Sequence, residues 1–273
     1  MNPQSNQAAA FRALHVPGAP LLLPNAWDAA SARITEDAGA AAVATTSAGV
    51  AWSLGVPDGD ALDRASMLAH LRRVVAAVRV PVSADIESGF GATPREVAAT
   101  VREVIAAGAV GVNIEDGHGA ALRPVQEQAE RIAAARRAAK EAGVPLYINA
   151  RTDAYLYGIG TAEDRLPQTL ARAAAYLAAG ADGVFVPGVT DPATVSALAE
   201  GIGAPLNILA GAGAPTAPEL AKLGVARISL GSSIASAAYE LARKATRELL
   251  TEGTYEATAS RLSHGELNGL LRP

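Results

Sequence analysis

Eight short apolar runs recur along the chain, and each is separated from the next by a longer stretch with helical periodicity. Continuous apolar runs of this length are typical of strands buried on both faces, as in parallel sheets. The pattern therefore predicts eight parallel strands that alternate with helices. The runs cover residues 21–24, 41–46, 80–84, 111–114, 146–150, 183–186, 206–209 and 227–230.

The stretches between the runs are rich in Ala, Leu and Arg and predict amphipathic helices. In "REVAATVREVIAAGA", four branched residues fall on one helical face: Val97, Val101, Val104 and Ile105. Several stretches close with glycine, in "EDAGA", "IAAGA", "KEAGV", "LAAGA" and "AKLGV". Glycine just past a helix supplies the left-handed conformation that ends it.

Eight strand–helix units favour an α/β fold of the (β/α)8 TIM-barrel type. The strongest competitor is an open doubly wound sheet, but no G-x-G-x-x-G motif opens the first helix. No linker or shift in composition marks a boundary, so we expect one barrel domain over residues 1–273. The segment from about residue 232 predicts an additional C-terminal helical arm.

Composition narrows the functional classes. The 273 residues are half hydrophobic, carry a net charge of −4 and include no cysteine. Disulfides, thiolate catalysis and thiolate metal sites are thereby excluded. Charges are well mixed, which argues against a nucleic-acid surface. The N-terminus lacks the pattern of a secretion signal and no window reaches about 18 apolar residues, so we expect a cytoplasmic protein with no membrane partner.

Polar residues cluster where the predicted strands end, which is where barrels of this type build their active sites. They are Asn25 and Asp28, the segment "TTSAG" (45–49), Asp85 and Glu87, "NIEDGHG" (113–119), "NARTD" (149–153), Pro187 and Gly188, and "SLGSS" (229–233). The third to fifth strands carry most of them. This concentration places the candidate site on that side of the rim.

The stretch "SADIESGFG" sets Asp85 and Glu87 one residue apart. In an extended strand these side chains share a face, roughly 6.6 Å apart along the chain. With Glu115 from the neighbouring strand, three carboxylates converge and need compensation, which Mg²⁺ or Mn²⁺ would supply through oxygen ligands. The alternative is that Glu87 and Glu115 pair with Arg151 or cap the following helix.

Arg151 ends the fifth strand and has a planar, permanently charged group suited to a substrate carboxylate. The alternative is a plain salt bridge to Asp153 or Glu115. The Ser47-Ala48-Gly49 segment offers backbone N–H groups to an anion. Together with a cation, these groups describe a pocket for a small acid that bears a keto or hydroxyl oxygen.

As a set, "PNAWDAASARITEDAGAAAVATTSAG", "SLGVPDGD", "ADIESGFG", "VNIEDG", "INARTDA" and "AAGADGVFVPG" resemble the isocitrate lyase and phosphoenolpyruvate mutase superfamily, in its phosphoenolpyruvate mutase-like branch. The resemblance implies a Mg²⁺-dependent barrel in which Asp85 binds the metal directly, while Glu87 and Glu115 act through its waters. It implies that Ser47, Ala48 and Gly49 hold the substrate's carboxylate and keto oxygens together with Arg151. Asp58 matches an acid that lies near the metal.

The chain departs from that pattern in the loop after the fourth strand, "DGHGAALRPVQ", which lacks the Lys and Cys of the carbon–carbon lyases and the pattern of the mutases. Glu87 stands where Asp is usual, Pro187 where other members have Glu or His, and Leu209 where lyases keep Asn. The loop's His118 is a candidate proton carrier, with a solvated loop histidine as the alternative.

Five further side chains receive weaker interpretations. Tyr155 and Tyr157 either close the pocket or merely pack beside Arg151. His15, His70 and His264 fall outside the predicted rim. None of the three histidines is expected to take part in chemistry.

The resemblance implies a lyase that acts through an enolate on a small 2-oxo or 2-hydroxy dicarboxylate, by isocitrate- or 2-methylisocitrate-type cleavage or oxaloacetate-type decarboxylation. The alternatives are a phosphonopyruvate-type hydrolase or phosphoenolpyruvate mutase-like enzyme, and a non-catalytic protein that binds 2-oxo acids. Family members are commonly tetramers that exchange a C-terminal helix. We therefore expect a homo-oligomer, a dimer or tetramer, in which the helix over 232–250 and the arm that follows it are exchanged or pack on their own barrel.

Overall fold

The structure, a computed structural model, describes residues 3–59 and 61–272. Its strands are β1 (Leu21–Leu23), β2 (Asn25–Ala26), β3 (Val43–Thr45), β4 (Val82–Asp85), β5 (Gly111–Glu115), β6 (Gly117–His118), β7 (Ala121–Leu122), β8 (Tyr147–Arg151), β9 (Gly183–Val186), β10 (Leu206–Leu209) and β11 (Arg227–Ser229). All except β6 and β7, which form a small hairpin, belong to one parallel sheet.

The helices alternate with these strands as the sequence predicts. They are α1 (Pro3–Ala13), α2 (Ala29–Asp37), α3 (Ser47–Ser53), α4 (Arg64–Ala77), α5 (Pro94–Ala106), α6 (Val125–Glu141), α7 (Ala162–Ala178), α8 (Pro192–Ile202), α9 (Ala217–Lys222), α10 (Ser233–Thr251) and α11 (His264–Leu270), with a 3-10 turn at Glu256–Thr258. None of the helices in the described ranges is both long and apolar enough to cross a membrane.

The first barrel strand is divided in two by Pro24, which has no N–H to give to a ladder. The part before it, β1, pairs with β11, and the part after it, β2, pairs with β3. The Asn25 side chain bridges the same gap, because its Oδ1 accepts hydrogen bonds from the Leu230 and Gly231 amides at 3.0 and 2.9 Å. The eight predicted strands therefore form a barrel of the TIM type, which confirms the predicted fold class.

Three strands extend one residue beyond their predicted ends. β4, β5 and β8 end at Asp85, Glu115 and Arg151, and the last two residues face each other in register. The sequence boundaries were drawn where the apolar runs stop, but the ladder continues through the first charged residue. This extension fixes all three charged side chains at the carboxyl end of the barrel.

The buried face of α5 and the glycines that end five helices agree with the predictions made from the sequence. On α5, Val97, Val101, Val104 and Ile105 are buried against the barrel. The glycines that close five predicted helices all adopt positive φ, from 70° to 108°: Gly39, Gly108, Gly143, Gly180 and Gly224. Both predictions are confirmed.

Helix α1 closes the amino end of the barrel. Phe11 lies in the core, and a side chain at Gly111 would meet its ring at 2.7 Å. His15, just beyond α1, is buried and stacks on Tyr147 with a 3.9 Å separation between ring centroids. Burial, followed by the charge of Arg227, lowers the pKa of His15 to about 3. The floor of the barrel is therefore a packed plug that holds a neutral histidine.

The C-terminal arm extends away from the barrel. In α10 only Ala235 is buried, while five large apolar side chains remain exposed: Ile234, Tyr239, Leu241, Leu249 and Leu250. Helix α11 returns to α2, where the Arg33 Nε donates to the Leu270 carbonyl at 2.8 Å. The predicted extra C-terminal helices are confirmed, and the exchange of a helix stays a prediction.

Candidate functional site

Asp85 lies at the end of β4 with its backbone and one carboxylate oxygen fixed. Its amide donates to Thr45 Oγ1 at 2.8 Å, and its Oδ2 accepts a hydrogen bond from the Ser47 amide at 3.2 Å. Its Oδ1 is buried and has no hydrogen-bond partner among the described residues. A buried carboxylate oxygen left without a partner is costly. The geometry therefore suits a cation that binds at Oδ1.

The segment predicted to hold the substrate's carboxylate opens α3. Thr46 is the N-cap, so Ser47, Ala48 and Gly49 form the first turn rather than a free loop. A Cβ at Gly49 would lie 2.8 Å from both Trp27 Cβ and Thr46 Cγ2. Glycine at this position therefore lets the start of α3 pack closely on Trp27 and on its own N-cap, with the Ser47 amide directed at Asp85.

Asp58 comes from the exposed loop between α3 and α4. Its pKa is raised by partial burial and then by the charge of Asp85, while a hydrogen bond from the Ser47 side chain opposes the shift. The acid that the sequence singled out in "GVPDGD" is therefore within electrostatic reach of Asp85. By contrast, Asp28 caps α2 by accepting from the Ser31 amide at 2.7 Å.

Arg151 is held between two acids. Its Nη1 lies 2.7 Å from Glu115 Oε2, and its Nε donates to Asp153 Oδ1 at 2.6 Å. Both salt bridges that the sequence offered as alternatives are thus present. Burial raises the pKa of Glu115 to about 9, assisted by Asp153, Asp85 and Glu87 and opposed by Arg151. The acids outnumber the single guanidinium, so the site has room for a further positive charge.

A buried hydrogen-bond network holds Asp153, one of the two acids that bind Arg151, on the side that faces α7. Asp116 is fully buried and accepts hydrogen bonds from the Asp153 amide at 3.0 Å, from Tyr176 Oη at 2.7 Å and from Arg172 Nη1 at 3.1 Å. Sequence reasoning missed Arg172 and Tyr176, which lie on α7. Nothing in the sequence signals that these two residues reach the strand ends of β5 and β8.

Glu87 follows β4, is 4% exposed and lines a small pocket with a cavity volume of about 10 Å³. The pocket wall combines polar and apolar side chains: Thr45, Ser47, Asp85, Val50, Leu62, Met67, His70, Leu71 and Phe90. The expectation that His70 lies outside the rim is wrong. It shares a face of α4 with Met67 and Leu71, and its Nε2 lies 2.5 Å from the Trp27 carbonyl oxygen.

His118, the candidate proton carrier, and Tyr157 differ in position. His118 lies on the β6–β7 hairpin with an exposed side chain. Tyr157 packs against that hairpin, since a Cβ at Gly117 would lie 3.5 Å from its hydroxyl and 2.7 Å from Asp153 Oδ2. Burial, then the charges of Asp153 and Glu115, raise the pKa of Tyr157. Tyr157 therefore lies within electrostatic reach of the site's acids.

The donor set fits a hydrated Mg²⁺ ion rather than a fully enclosed one. Within residues 3–59 and 61–272, no three His, Asp or Glu side chains come together into a cluster that holds a cation by itself. One buried carboxylate oxygen with further acids at a distance suits Mg²⁺, which keeps several waters. Asp85 would hold the ion directly, and Glu87 and Glu115 would do so through its waters.

A family model described as phosphoenolpyruvate phosphomutase matches residues 11–250. The chain belongs to this family. The predicted superfamily of isocitrate lyases and phosphoenolpyruvate mutases is thereby confirmed, and the relatives of this chain, which include lyases and mutases, support an enzyme.

Three relatives illustrate the range of the family. A solved lyase or mutase, provisionally so described, from Burkholderia cenocepacia J2315 is 42% identical, with 97% of this chain and 95% of that chain covered and a TM-score of 0.90. The 2-methylisocitrate lyase of Bacillus subtilis is 33% identical over 68% of this chain and 62% of that enzyme. A phosphonopyruvate hydrolase solved with oxalate and Mg²⁺ is 26% identical, with coverages of 97% and 94% and a TM-score of 0.84.

Proposed function

We propose that this phosphomutase family member is a Mg²⁺-dependent carbon–carbon lyase that acts through the enolate of a small 2-oxo or 2-hydroxy dicarboxylate. The observation that carries the proposal is the buried, unpartnered Oδ1 of Asp85, beside the Ser47 amide and within electrostatic reach of Glu115. When bound, Mg²⁺ supplies the positive charge that polarises the substrate's oxo group. The chain's own residues supply orientation and proton transfer.

Arg151 is the proposed substrate clamp. It is pre-oriented by Glu115 and Asp153, so little side-chain entropy remains to be lost when a carboxylate binds. Ser47, Ala48 and Gly49 are proposed to bind the same end of the substrate. Asp58, near Asp85, is proposed to act as an acid or base on the side of the substrate opposite to that end.

The proton that reaches the enolate carbon needs a donor, because the loop after the fourth strand has neither Lys nor Cys. The sequence predicts that His118 is this proton donor. Tyr157 is a second candidate, since its phenol carries a proton at neutral pH and lies within electrostatic reach of the Arg151 cluster. A protonated phenol in that position donates without first having to take up a proton.

The reaction classes that fit are cleavage of an isocitrate- or 2-methylisocitrate-type acid and decarboxylation of an oxaloacetate-type acid. A panel of oxaloacetate, isocitrate and 2-methylisocitrate, assayed for pyruvate, succinate or glyoxylate release with and without Mg²⁺, tests the proposal. We expect turnover of at least one acid that requires Mg²⁺ and disappears in Asp85→Ala. Unchanged turnover in Asp85→Ala would overturn the proposal.

A second candidate function is phosphonopyruvate hydrolysis or a phosphoenolpyruvate mutase-like rearrangement. It is supported by the phosphonopyruvate hydrolase neighbour that was solved with oxalate and Mg²⁺. Adding phosphonopyruvate to the same panel separates both from the lyase: phosphate release reports hydrolysis, and formation of phosphoenolpyruvate without phosphate release reports the rearrangement. A third outcome, Mg²⁺-dependent binding of 2-oxo acids without turnover of any acid, would indicate a binding protein.

We also propose that the protein is a homo-oligomer assembled through α10. An apolar groove of about 1200 Å³ runs between β1 and α2, lined by residues that include Leu14, Leu22, Pro24, Ile34 and Ile234. Helix α10 contacts β2 and packs its Tyr239 ring edge-to-face on Trp52 of α3, and it exposes Leu241, Leu249 and Leu250 further along. A second copy's α10 has the apolar surface that this groove would bury.

A further inference from the structure

The loop between β4 and α5 has an unusual backbone. It covers residues 86–93 and carries Glu87, and three of its residues have positive φ: Glu87 at 47°, Gly89 at 100° and Phe90 at 50°. Residues other than glycine are strained in this region, and such strain persists only where the surroundings hold the chain in place. The contacts of this loop must therefore impose its shape.

The principal contact comes from Arg131 on α6, whose side chain is fully buried. Its Nη2 donates to the carbonyls of Ser88 and Gly91 at 2.6 and 2.7 Å, and its Nη1 donates to the Ala92 carbonyl at 3.2 Å. One guanidinium thus binds three backbone oxygens of a single loop. Charged donors make stronger hydrogen bonds than neutral ones, so the loop is clamped from the α6 side.

The other side of the loop is pressed against α5. A Cβ at Gly89 would lie 2.9 Å from Val97 Cγ2, and one at Gly91 would clash with Glu96. Since both glycines are already in close contact with α5, the loop has no free space to move into on that side. Arg131 and α5 together therefore hold the loop in one position.

This position determines where Glu87 lies. The Glu87 carbonyl accepts a hydrogen bond from the Glu115 amide at 3.0 Å, which joins the loop to the end of β5. The Glu87 side chain is buried in the pocket that Asp85 also lines. A shift of the loop would therefore move one acid of the proposed cation site relative to the other two.

We propose that Arg131 is a positioning residue of the cation site, which fixes Glu87 beside Asp85 and Glu115 by clamping the carbonyls of Ser88, Gly91 and Ala92. This inference rests on the proposed function, because it concerns the same Mg²⁺ site. The contacts of Arg131 that carry this proposal are hydrogen bonds to backbone oxygens of the loop. Its effect passes through the loop, as hydrogen bonds behind metal ligands commonly do.

Helix α6 offers a matched control. Arg136 also clamps backbone carbonyls, those of Gly180 and Leu146 at 2.9 and 2.8 Å, and it pairs with Asp182. These partners precede β8 and β9, at the amino end of the barrel and away from the site. Arg136→Gln therefore removes the same kind of clamp from the same helix without touching the loop of Glu87.

The experiment measures Mg²⁺ binding by calorimetry without substrate, together with thermal unfolding and amide exchange, in wild type, Arg131→Gln, Arg131→Lys and Arg136→Gln. We expect Arg131→Gln to weaken Mg²⁺ binding by about tenfold or more and Arg131→Lys to restore part of the loss. Exchange at Gly89 and Glu115 should accelerate only in the Arg131 variants. In a Glu87→Gln background, Arg131→Gln should weaken Mg²⁺ binding no further.

Equal Mg²⁺ affinities in Arg131→Gln and Arg136→Gln, with wild type binding the ion, would overturn this inference alone. Failure of wild type to bind Mg²⁺ would overturn the proposed function and this inference with it. If Arg131→Gln does not fold, Arg131→Lys decides the question. Wild-type Mg²⁺ affinity in that variant, combined with faster exchange at Gly89, would show that the clamp acts on the loop but not on the cation site.

Discussion

Arg151 Nε donates to Asp153 Oδ1 at 2.6 Å, and the Asp153 amide donates to the fully buried Asp116. The guanidinium is therefore attached through Asp153 to a network that reaches α7. Its Nη1 contacts Glu115 on the neighbouring strand. This arrangement holds a planar cation at the rim of the barrel in one orientation, which is the property a carboxylate clamp needs.

Arg151→Lys should lower kcat/KM by about 10- to 100-fold for whichever acid the wild type turns over, because a lysine cannot contact Glu115, Asp153 and substrate in one plane. Most of the loss should appear in KM. Steady-state kinetics and the inhibition constant of oxalate measure it. Arg165→Lys, which changes a guanidinium bonded to the Ile159 carbonyl on a neighbouring segment, is the control. Equal effects in the two variants would contradict the clamp.

The buried histidine at the floor of the barrel predicts acid sensitivity. His15 has a folded-state pKa of about 3 against 6.5 in the unfolded chain, so the unfolded chain binds the proton first as pH falls. Its contribution to stability is complete above pH 6.5 and is lost as pH falls towards 3. The total change should be roughly 3–5 kcal/mol. Urea unfolding at a series of pH values measures it.

His15→Phe keeps a ring to stack on Tyr147 and should flatten the pH dependence over that range, although it also removes a hydrogen bond to the Phe11 carbonyl. His264, which is exposed on α11, provides the control. His264→Gln should leave the profile as steep as in wild type. A profile that stays steep in His15→Phe would assign the acid sensitivity to other groups.

Much of the fold was predictable because the signals that specify it are local. Apolar run length, helical periodicity and closing glycines located the eight strands and the helices, and the structure confirms them. The ends of β4, β5 and β8 were predicted one residue short, since a charged residue ends an apolar run without ending the ladder. Pro24 divides the first strand for an equally local reason, its missing N–H.

Only those residues of the candidate site that lie at the ends of predicted strands could be predicted from the sequence. Asp85, Glu87, Glu115 and Arg151 follow apolar runs, and the structure brings them to one rim. His70 was misplaced because it comes from the face of a helix that returns over the pocket, and helical position alone does not show what a face covers. Arg131 and Arg172 were missed because they act on backbone and side chains distant in sequence.

Tyr157→Phe should lower kcat by about 100-fold with little change in KM, because it removes a protonated group beside the Arg151 cluster while keeping the ring that packs on Gly117. Steady-state kinetics on the substrate from the acid panel measures the effect. His118→Gln is the comparison variant. A full rate in Tyr157→Phe with a reduced rate in His118→Gln would assign proton transfer to His118, as the sequence predicts.

The assembly depends on α10 if its exposed apolar face meets a second copy. We expect light scattering to give a mass above that of the monomer for wild type. Leu249→Asp should lower this mass, because a charge cannot be buried without a partner. Arg247→Asp, which alters an exposed side chain on the same helix, is the control and should leave the mass unchanged. A chain ending at Leu250 that assembles like wild type would count against exchange of the C-terminal arm.

The most direct test of the account is calorimetric titration with Mg²⁺ of wild type, Asp85→Asn and Asp28→Asn. Asp28 is a rim acid that caps α2, and asparagine is an equally good N-cap, so Asp28→Asn should leave both the stability and the cation site intact. The account predicts that wild type and Asp28→Asn bind Mg²⁺ with similar affinity and that Asp85→Asn loses about 100-fold or more. Wild-type Mg²⁺ affinity in Asp85→Asn would contradict it.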